Sequence, residues 1–265
     1  MNSTRFERAA QLLHEAHERG EPFRPLPAAL APHTAEAAYE IQDTFVALRA
    51  EKRGAIAGYK IALASPQMRR FVGVEAPQAG VIFESTVLRT PAMVRAGDYL
   101  RLIVEFELAV ELAEDLPAAD APFSRGRVAE AVGKVMPALE LADDRNADYA
   151  ELSRHPFDLI ADNTWNEGAV LGYPVDEWRG LDLAAVRGRA SINGEPVGEG
   201  VGGDAMGHPF DSVAWIADHL AAHSRGLLRG EFVITGSIIT SKNVRPGDLV
   251  SFSVEGLGGV ELRVD

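Results

Sequence analysis

The stretch that decides the fold is RLIVEFELAVEL, residues 101–112, in which apolar and acidic side chains alternate with a period of two. Glu105 and Glu107 fall on one face of this run, and Leu, Val and Phe side chains fill the other. On a strand the two carboxylates stand about 7 Å apart, whereas on a helix about 200° would separate them. The pattern therefore predicts a β-strand that carries a pair of glutamates on one face.

A third glutamate lies on a second predicted strand. Glu140 stands in PALELADDR, residues 137–145, where Leu139 and Leu141 point away from it. Two interpretations of the three glutamates remain open at this point. They are the solvated face of a half-exposed antiparallel strand, or they surround a cation that offsets their mutual repulsion. Three oxygen ligands without histidine or cysteine suit Mg²⁺ or Mn²⁺.

Helical spacing is confined to four segments of the chain. Two are N-terminal, over residues 3–19 and from an N-cap at Thr34 to Arg53, and two lie later, over Arg127–Met136 and Phe210–His223. His14 and His17 are expected on the solvated face of the first helix. Residues 116–127 have loop composition and form a candidate lid.

Short β-type runs separated by Gly, Pro and Asp make up most of the remaining chain. They are Ala55–Ala62, Gly80–Phe83, Tyr99–Leu112, Ala138–Ala142, Ala190–Ile192, Glu231–Thr240 and Leu249–Val264. The pattern predicts an α+β protein that is mostly β. We divide it into a helical N-terminal cap region, residues 1–54, and a β-rich catalytic region, residues 55–265, within one structural domain.

Composition limits the partners that the chain can have. It has 265 residues, no cysteine and a formal net charge of −13. No apolar run reaches the roughly 18 residues that span a bilayer. The absence of cysteine excludes disulfides and thiolate metal sites, and the acidic balance argues against a nucleic-acid or anionic-membrane partner. The N-terminal residues lack the apolar stretch of a signal peptide, so we expect a cytoplasmic protein.

Nine landmarks along the whole chain resemble, in order, the 2-keto-4-pentenoate hydratase / 4-oxalocrotonate decarboxylase group of the fumarylacetoacetate hydrolase superfamily. They are AYEIQ (38–42), GYKIALASP (58–66), VEFELAVEL (104–112), PALELADDR (137–145), IADN (160–163), NGEPVGEG (193–200), MGHPFDSVAWIADHL (206–220), VITGSIIT (233–240) and RPGDLVSF (245–252). The resemblance implies a mixed β-roll (fumarylacetoacetase C-terminal-like) with a helical N-terminal cap, and a homo-oligomer. It also implies that Glu105, Glu107 and Glu140 hold the metal.

Lys60 lies between Tyr59 and Ile61 in an otherwise apolar run. Such a lysine is either an edge residue that reaches solvent or a buried cation that faces carboxylates. The resemblance favours the second alternative and implies a catalytic or substrate-orienting role.

Two short segments are candidates for substrate contact. Thr235, Gly236 and Ser237 form either a plain turn or a segment whose hydroxyl and N–H groups bind a carboxylate. The resemblance implies the latter, and Ser65 is a further candidate.

Two positions depart from the pattern of the resembling group. Gln78, in APQAG (76–80), stands where hydratases of the group often carry an acid, and its presence bears on the hydration step. TWNEG (164–168) replaces a small, hydroxyl-rich stretch and brings Trp165, with Glu167 nearby, towards the expected pocket. Gln78 and Trp165 are therefore expected to contact the substrate.

The resemblance implies a metal-dependent hydro-lyase with a small 2-oxo acid substrate. It would add water to a 2-hydroxy-2,4-dienoate or 2-oxo-alkenoate such as 2-keto-4-pentenoate, in the catabolism of aromatic compounds. A 4-oxalocrotonate-type decarboxylase or an acylpyruvate-type C–C hydrolase would use the same metal site. A non-catalytic homologue that keeps the fold as a binding protein is the remaining alternative.

Overall fold

The computed structural model describes residues 2–265, so Met1, the first residue of the predicted cap, lies outside the described part. The helices are α1 (Asn2–Glu18), α2 (Ala35–Arg53), α3 (Pro66–Val72), α4 (Arg125–Ala131), α5 (Asp158–Ala161) and α6 (Pro209–Ala222). The strands are β1 (Ile56–Ala62), β2 (Gln78–Phe83), β3 (Val87–Arg89), β4 (Ala92–Val94), β5 (Leu102–Leu112), β6 (Val132–Asp143), β7 (Asn166–Leu171), β8 (Arg187–Ile192), β9 (Glu195–Val201), β10 (Phe232–Ile234), β11 (Ile239–Asn243), β12 (Leu249–Val254) and β13 (Gly258–Val264). Within these residues, no helix is long and apolar enough to cross a membrane.

The larger sheet is built around β5 and β6. Its strand order is β2-β1-β10-β5-β6-β7-β3, and β11 also pairs with β5. β5 and β6 run antiparallel along their whole length, whereas β1–β10 and β3–β7 are parallel pairs. A second sheet, of order β4-β13-β12-β8-β9, packs against it through β12 and β13. Two mixed sheets with a helical N-terminal part confirm the predicted α+β fold.

The larger sheet is buried on both faces around β5. Phe106 and Leu108 pack in the main core on one face, and Ala109 and Ala138 lie in a second apolar cluster on the other. This burial follows from the sequence, since Ile103 and Ala109 on the acidic face leave it incompletely polar. The half-exposed strand with a solvated acidic face is therefore wrong for this chain.

The two N-terminal helices pack as a pair. The Thr34 hydroxyl caps α2 by accepting a hydrogen bond from the Ala37 N–H at 3.2 Å, as predicted. Phe6 and Leu13 of α1 join Phe45 of α2 in an apolar cluster that also includes Ala161 of α5. The helical pair thus contacts the β-rich region, and the division at residues 54 and 55 stays a proposal.

The helix predicted over Arg127–Met136 is wrong in its second half. α4 ends at Ala131, and residues from Val132 onward extend the ladder between β5 and β6, with Lys134 opposite Glu111. Long-range pairing along this edge overrides the local helical spacing. The short strands β3, β4, β7 and β9 have no counterpart in the predicted set.

The candidate lid packs on α6. The Phe123 N–H donates to the Asp218 carboxylate at 2.8 Å, and Arg125 forms an ion pair with Asp211. The segment begins beyond Leu112, which stands about 17 Å along β5 from Glu107. It is therefore anchored away from the glutamates.

A buried cluster of charged side chains joins α1 and α2 to Asp162, which precedes β7, and to Glu167, which lies in β7. His17 contacts Asp162 at 2.6 Å, and Arg49 binds both oxygens of Glu167 at 2.8 Å. Arg145 pairs with the same Asp162. The expectation that His17 is solvated is therefore wrong, since 9% of its side chain is exposed.

Candidate metal centre and active site

The three glutamates predicted as metal ligands converge on one face of the β5–β6 ladder. Glu105 lies directly opposite Glu140, and Glu107 is two residues further along β5. One carboxylate oxygen of each lies within 4.8 Å of the others. Glu107 and Glu140 are fully buried, and Glu105 is half-buried.

The chain fixes one oxygen of each buried carboxylate and leaves the other unbonded. The Gly236 N–H donates to Glu107 Oε2 at 2.7 Å, and the Asn166 amide donates to Glu140 Oε1 at 3.0 Å. Lys60 Nζ lies 3.0 Å from the same Glu140 oxygen. Glu107 Oε1 and Glu140 Oε2 are buried without a hydrogen-bond partner anywhere in residues 2–265. Carboxylates oriented in this way suit a hard divalent cation, for which the two unbonded oxygens and Glu105 could supply ligands.

The electrostatics of the site also favour a cation. Burial raises the pKa of Glu107 well above its usual range, and Glu140 and Glu105 raise it further. Burial raises the pKa of Glu140 to about 7, although Lys60 opposes the rise. Burial lowers the pKa of Lys60, but the three glutamates outweigh burial and raise it. With all four groups ionised, two negative charges remain, which one divalent cation balances.

Lys60 stands on an interior strand of the larger sheet. β1 lies between β2 and β10, with Lys60 paired to Gly80 on one side and Ile234 on the other. Only 3% of the residue is exposed. The edge alternative for this lysine is therefore wrong, and its catalytic role stays a prediction.

A left-handed turn, Asn163–Trp165, borders Lys60. Its three residues have φ values of 50°, 49° and 60°, which side-chain-bearing residues seldom adopt in succession. The Asn163 side chain holds the turn against β2, because its amide accepts from and donates to the Val81 backbone at 2.8 and 2.9 Å. The turn directs the Thr164 carbonyl towards Lys60 Nζ, at 3.5 Å.

The segment Thr235, Gly236 and Ser237 arches over β5 at Glu107. The Thr235 and Ser237 hydroxyls hydrogen-bond to backbone atoms of Leu108 and Phe106 at 3.1 Å. The φ of Gly236 is 98°, and a Cβ there would lie 2.8 Å from the Ala64 Cβ, so only glycine fits. Within this segment, the Gly236 N–H is the group that donates to the Glu107 carboxylate. Substrate contact by this segment stays a prediction.

The other expected contact residues occupy different settings. Ser65 caps α3 by accepting from the Met68 N–H at 3.2 Å. Trp165 is buried and packs edge-on with Phe23 and Tyr149, at ring-centroid distances of 5.4 and 5.9 Å. Their contact with substrate stays a prediction.

Gln78 and Glu167 have different surroundings. Gln78 pairs with Ala62 in the β1–β2 ladder, so its side chain projects from the Lys60 face. Glu167 forms ion pairs with Arg49 and Arg53, and its position near the pocket stays a prediction.

Asn166 and Thr164 are the functional candidates that the sequence did not reveal. Asn166 reaches Glu140 because the β6–β7 register shifts between Leu141 and Ala142. A register shift of this kind leaves no mark in the alternation of apolar residues. The TWNEG segment contains both residues, but its departure from the resembling group pointed to Trp165 and Glu167 and not to Thr164 or Asn166.

Comparison with known proteins identifies the family. Residues 49–265 match the fumarylacetoacetate (FAA) hydrolase C-terminal family. The chain belongs to that family. Within it, the chain is 30% identical over 259 residues to a 2-keto-4-pentenoate hydratase of Paraburkholderia xenovorans (strain LB400), covering 98% of this chain and 94% of the relative.

Two other similar proteins are named for different activities, one as a hydratase and the other as a decarboxylase. A 2-oxo-hept-4-ene-1,7-dioate hydratase of Escherichia coli is 29% identical to this chain, and the alignment covers 96% of each protein. The solved structure of 4-oxalocrotonate decarboxylase from Pseudomonas putida G7, complexed with magnesium and adipate, has a TM-score of 0.89 and 26% identity. The match covers 98% of this chain and 97% of that one.

Proposed function

We propose that this FAA hydrolase family member is a divalent-metal-dependent hydratase that adds water to 2-hydroxy-2,4-dienoates such as 2-hydroxypenta-2,4-dienoate, the enol of 2-keto-4-pentenoate. The observation that carries the proposal is the buried set of Glu105, Glu107 and Glu140 beside Lys60. It occurs in a chain that aligns over nearly its full length with proteins named hydratases.

The chain's own residues divide the work at this site. Glu105, Glu107 and Glu140 would hold Mg²⁺ or Mn²⁺, which supplies positive charge for the substrate carboxylate and 2-oxygen. Lys60, kept protonated by the glutamates, fixes Glu140 and adds positive charge at the pocket wall. The Gly236 N–H orients Glu107.

The proposed substrate-binding residues surround these groups. They are Ser65, Gln78, Trp165, Thr235, Gly236 and Ser237. The aromatic cluster of Trp165, Phe23 and Tyr149 would suit the alkene end of the substrate.

A 4-oxalocrotonate-type decarboxylase is the second candidate, favoured by the TM-score of 0.89 to such an enzyme. Its dicarboxylate substrate requires a cation at the far end of the pocket. Arg69 is a candidate, because it donates to the Leu63 and Ala64 carbonyls at 3.1 and 2.8 Å, next to Gly236. CO₂ release from 4-oxalocrotonate that falls in Arg69→Gln would favour this candidate over the hydratase.

The remaining alternatives have weaker support. Structures titled fumarylpyruvate hydrolase share 14–18% identity with this chain, a level that speaks for the fold alone. A non-catalytic homologue has no need for a fully buried Lys60–Glu140 pair. We further propose a cytoplasmic homo-oligomer that uses a small 2-oxo acid.

An ultraviolet assay with 2-hydroxypenta-2,4-dienoate tests the hydratase. Wild-type protein with Mg²⁺ or Mn²⁺ should consume the dienol and yield 4-hydroxy-2-oxopentanoate, and chelator should abolish turnover. Lys60→Met should lower kcat by at least about 100-fold. Lys134→Met is the matched control, since Lys134 pairs with Glu111 at 2.8 Å on the exposed part of the same ladder. Metal-independent turnover, or equal effects of both substitutions, would contradict the proposal.

A further inference from the structure

Two buried polar atoms beside Lys60 have no partner in the chain. Within the part of the chain that the structure describes, Gln78 Oε1 and Thr164 Oγ1 have no hydrogen-bond partner. The two residues are 2% and 3% exposed. Because buried polar atoms are nearly always hydrogen-bonded to protein, water or ligand, two such atoms on the Lys60 face of the sheet point to a bound polar molecule.

The two atoms flank a glycine on the Lys60 face of the sheet. Gly80 lies directly opposite Lys60, and Gln78 is two residues further along β2, about 7 Å away. Thr164 reaches the same place from the left-handed turn, and its hydroxyl would lie 2.5 Å from a Cβ on Gly80. The absence of a side chain at residue 80 is therefore what admits the Thr164 hydroxyl.

The hydrogen-bonding capacity of this subsite selects a neutral ligand. The Gln78 amide nitrogen donates to the Pro156 carbonyl at 3.2 Å, which fixes Oε1 as a pure acceptor. The Thr164 hydroxyl can accept one hydrogen bond and donate another. A water molecule matches this pair, because it can donate one hydrogen bond to Gln78 Oε1 and form a second with the Thr164 hydroxyl. The pair does not match a carboxylate, which the Gln78 oxygen would repel.

We propose that Gln78 and Thr164 hold the water molecule that adds to the organic substrate, so that the contact proposed above for Gln78 is with this water. The proposal rests on the hydratase function proposed above. After protonation of the dienol at C5, the held water forms its C–O bond at C4, and the C3–C4 π electrons move towards the 2-oxygen. The proton that water releases is balanced by the proton that C3 gains on ketonisation. Gln78 and Thr164 orient the water and neither gains nor loses a proton in the net reaction.

The backbone around Thr164 keeps its hydroxyl in a fixed position. A β-branched residue at φ 49° is strained and persists because its surroundings hold it. The two hydrogen bonds from Asn163 to Val81 provide that restraint. Thr164 is thus a positioning residue for the water.

The test separates protonation of the dienol from addition of water. Deuterium uptake at C5 of 2-hydroxypenta-2,4-dienoate reports the first step, and hydration of 2-oxopent-3-enoate reports the second. Gln78→Leu should lower kcat for hydration by about tenfold, the effect of one lost hydrogen bond. It should leave deuterium uptake and KM within about twofold. Gln78→Glu and Thr164→Ser keep an acceptor oxygen and should retain hydration, and exposed Gln67→Leu is the control.

Several outcomes would overturn the proposal. Equal loss of deuterium uptake and hydration in Gln78→Leu, or a rise in KM alone, would assign Gln78 to binding of the organic substrate instead of the water. If the wild type takes up deuterium but hydrates nothing, or does neither, the hydratase function itself fails and the proposal fails with it. A high-resolution crystal structure supplies an independent check. It should show a water within hydrogen-bond distance of both atoms in the wild type, and its absence there would also refute the assignment.

Discussion

At the scale of single residues, the metal centre depends on how each carboxylate is held. Glu140 is fixed by Lys60 and Asn166 through one oxygen, which leaves Oε2 free to bind a cation. Groups that hydrogen-bond to the non-coordinating atom of a metal ligand commonly contribute about 10–100-fold to metal affinity. Asn166 is therefore expected to matter although it is not a ligand.

Replacing Asn166 tests this orienting role. Asn166→Leu should weaken Mn²⁺ binding by about 10–100-fold, because Glu140 loses one of its two orienting contacts. Calorimetric titration measures the change. Asn193→Leu, in the β8–β9 turn, is the control, and unchanged affinity in Asn166→Leu would show that Lys60 alone orients the ligand.

The residues of the centre were predictable to different degrees. Alternation over 101–112 placed Glu105 and Glu107 on one face, and the leucines around Glu140 placed it on a strand. The contact between Asn166 and Glu140 was not predictable, because it depends on a register shift between β6 and β7. The burial of Lys60 was not predictable from the residues around it, because it depends on the position of β1 between β2 and β10.

At the scale of elements, the short helix α5 joins the β-rich region to the N-terminal segment. Asp158, its first residue, accepts a hydrogen bond from the Leu26 N–H at 2.8 Å. Burial raises the pKa of Asp158 from 3.8 to about 6, against the opposing effects of Leu26 and His155. The native state therefore holds the proton more tightly than the unfolded state does.

The raised pKa predicts how stability depends on pH. The stabilising contribution of protonated Asp158 is complete below about pH 3.8 and is lost as pH rises to about 6. Asp158→Asn keeps an acceptor for the Leu26 N–H without a buried charge. The unfolding free energy of this variant should therefore fall less steeply with pH than that of the wild type, and the two slopes should differ by the effect of up to about one proton. Urea denaturation between pH 4 and 7 measures this, with exposed Asp120→Asn as control. An unchanged slope in Asp158→Asn would contradict the prediction.

Elements were predicted well where the apolar period was local. The N-cap of α2 and the apolar periods of α2 and α6 located both helices closely. The prediction over Arg127–Met136 was wrong because pairing with β5 extends β6 to Val132. The strands β3 and β4 are three residues long and exist through parallel partners distant in sequence, so no periodic pattern marks them.

At the scale of the whole molecule, the second sheet exposes a groove of about 690 Å³. Its lining includes Tyr173, which is 70% exposed, together with Arg189 and Glu261 of opposite charge. An exposed aromatic side chain in a groove that also carries opposite charges suits contact with an identical surface.

Oligomeric state is therefore expected to depend on this groove. Sedimentation analysis should give a mass that is a multiple of 28.5 kDa, and Tyr173→Glu should shift the distribution towards smaller species. Exposed Tyr149→Glu is not a suitable control because Tyr149 packs on Trp165, so exposed Leu228→Glu serves instead. A single 28.5 kDa species for the wild type would contradict the expected homo-oligomer.

The most direct test of the account is a calorimetric titration of Mn²⁺ into metal-free wild-type protein, Glu107→Gln and Glu111→Gln. Glu111 is a matched control, because it lies on the same face of β5 but pairs with Lys134 outside the centre. The account predicts one binding site per chain in the wild type and in Glu111→Gln, with affinity reduced by at least about 100-fold in Glu107→Gln. Equal binding by all three proteins, or no binding by the wild type, would show that Glu105, Glu107 and Glu140 do not form the metal site.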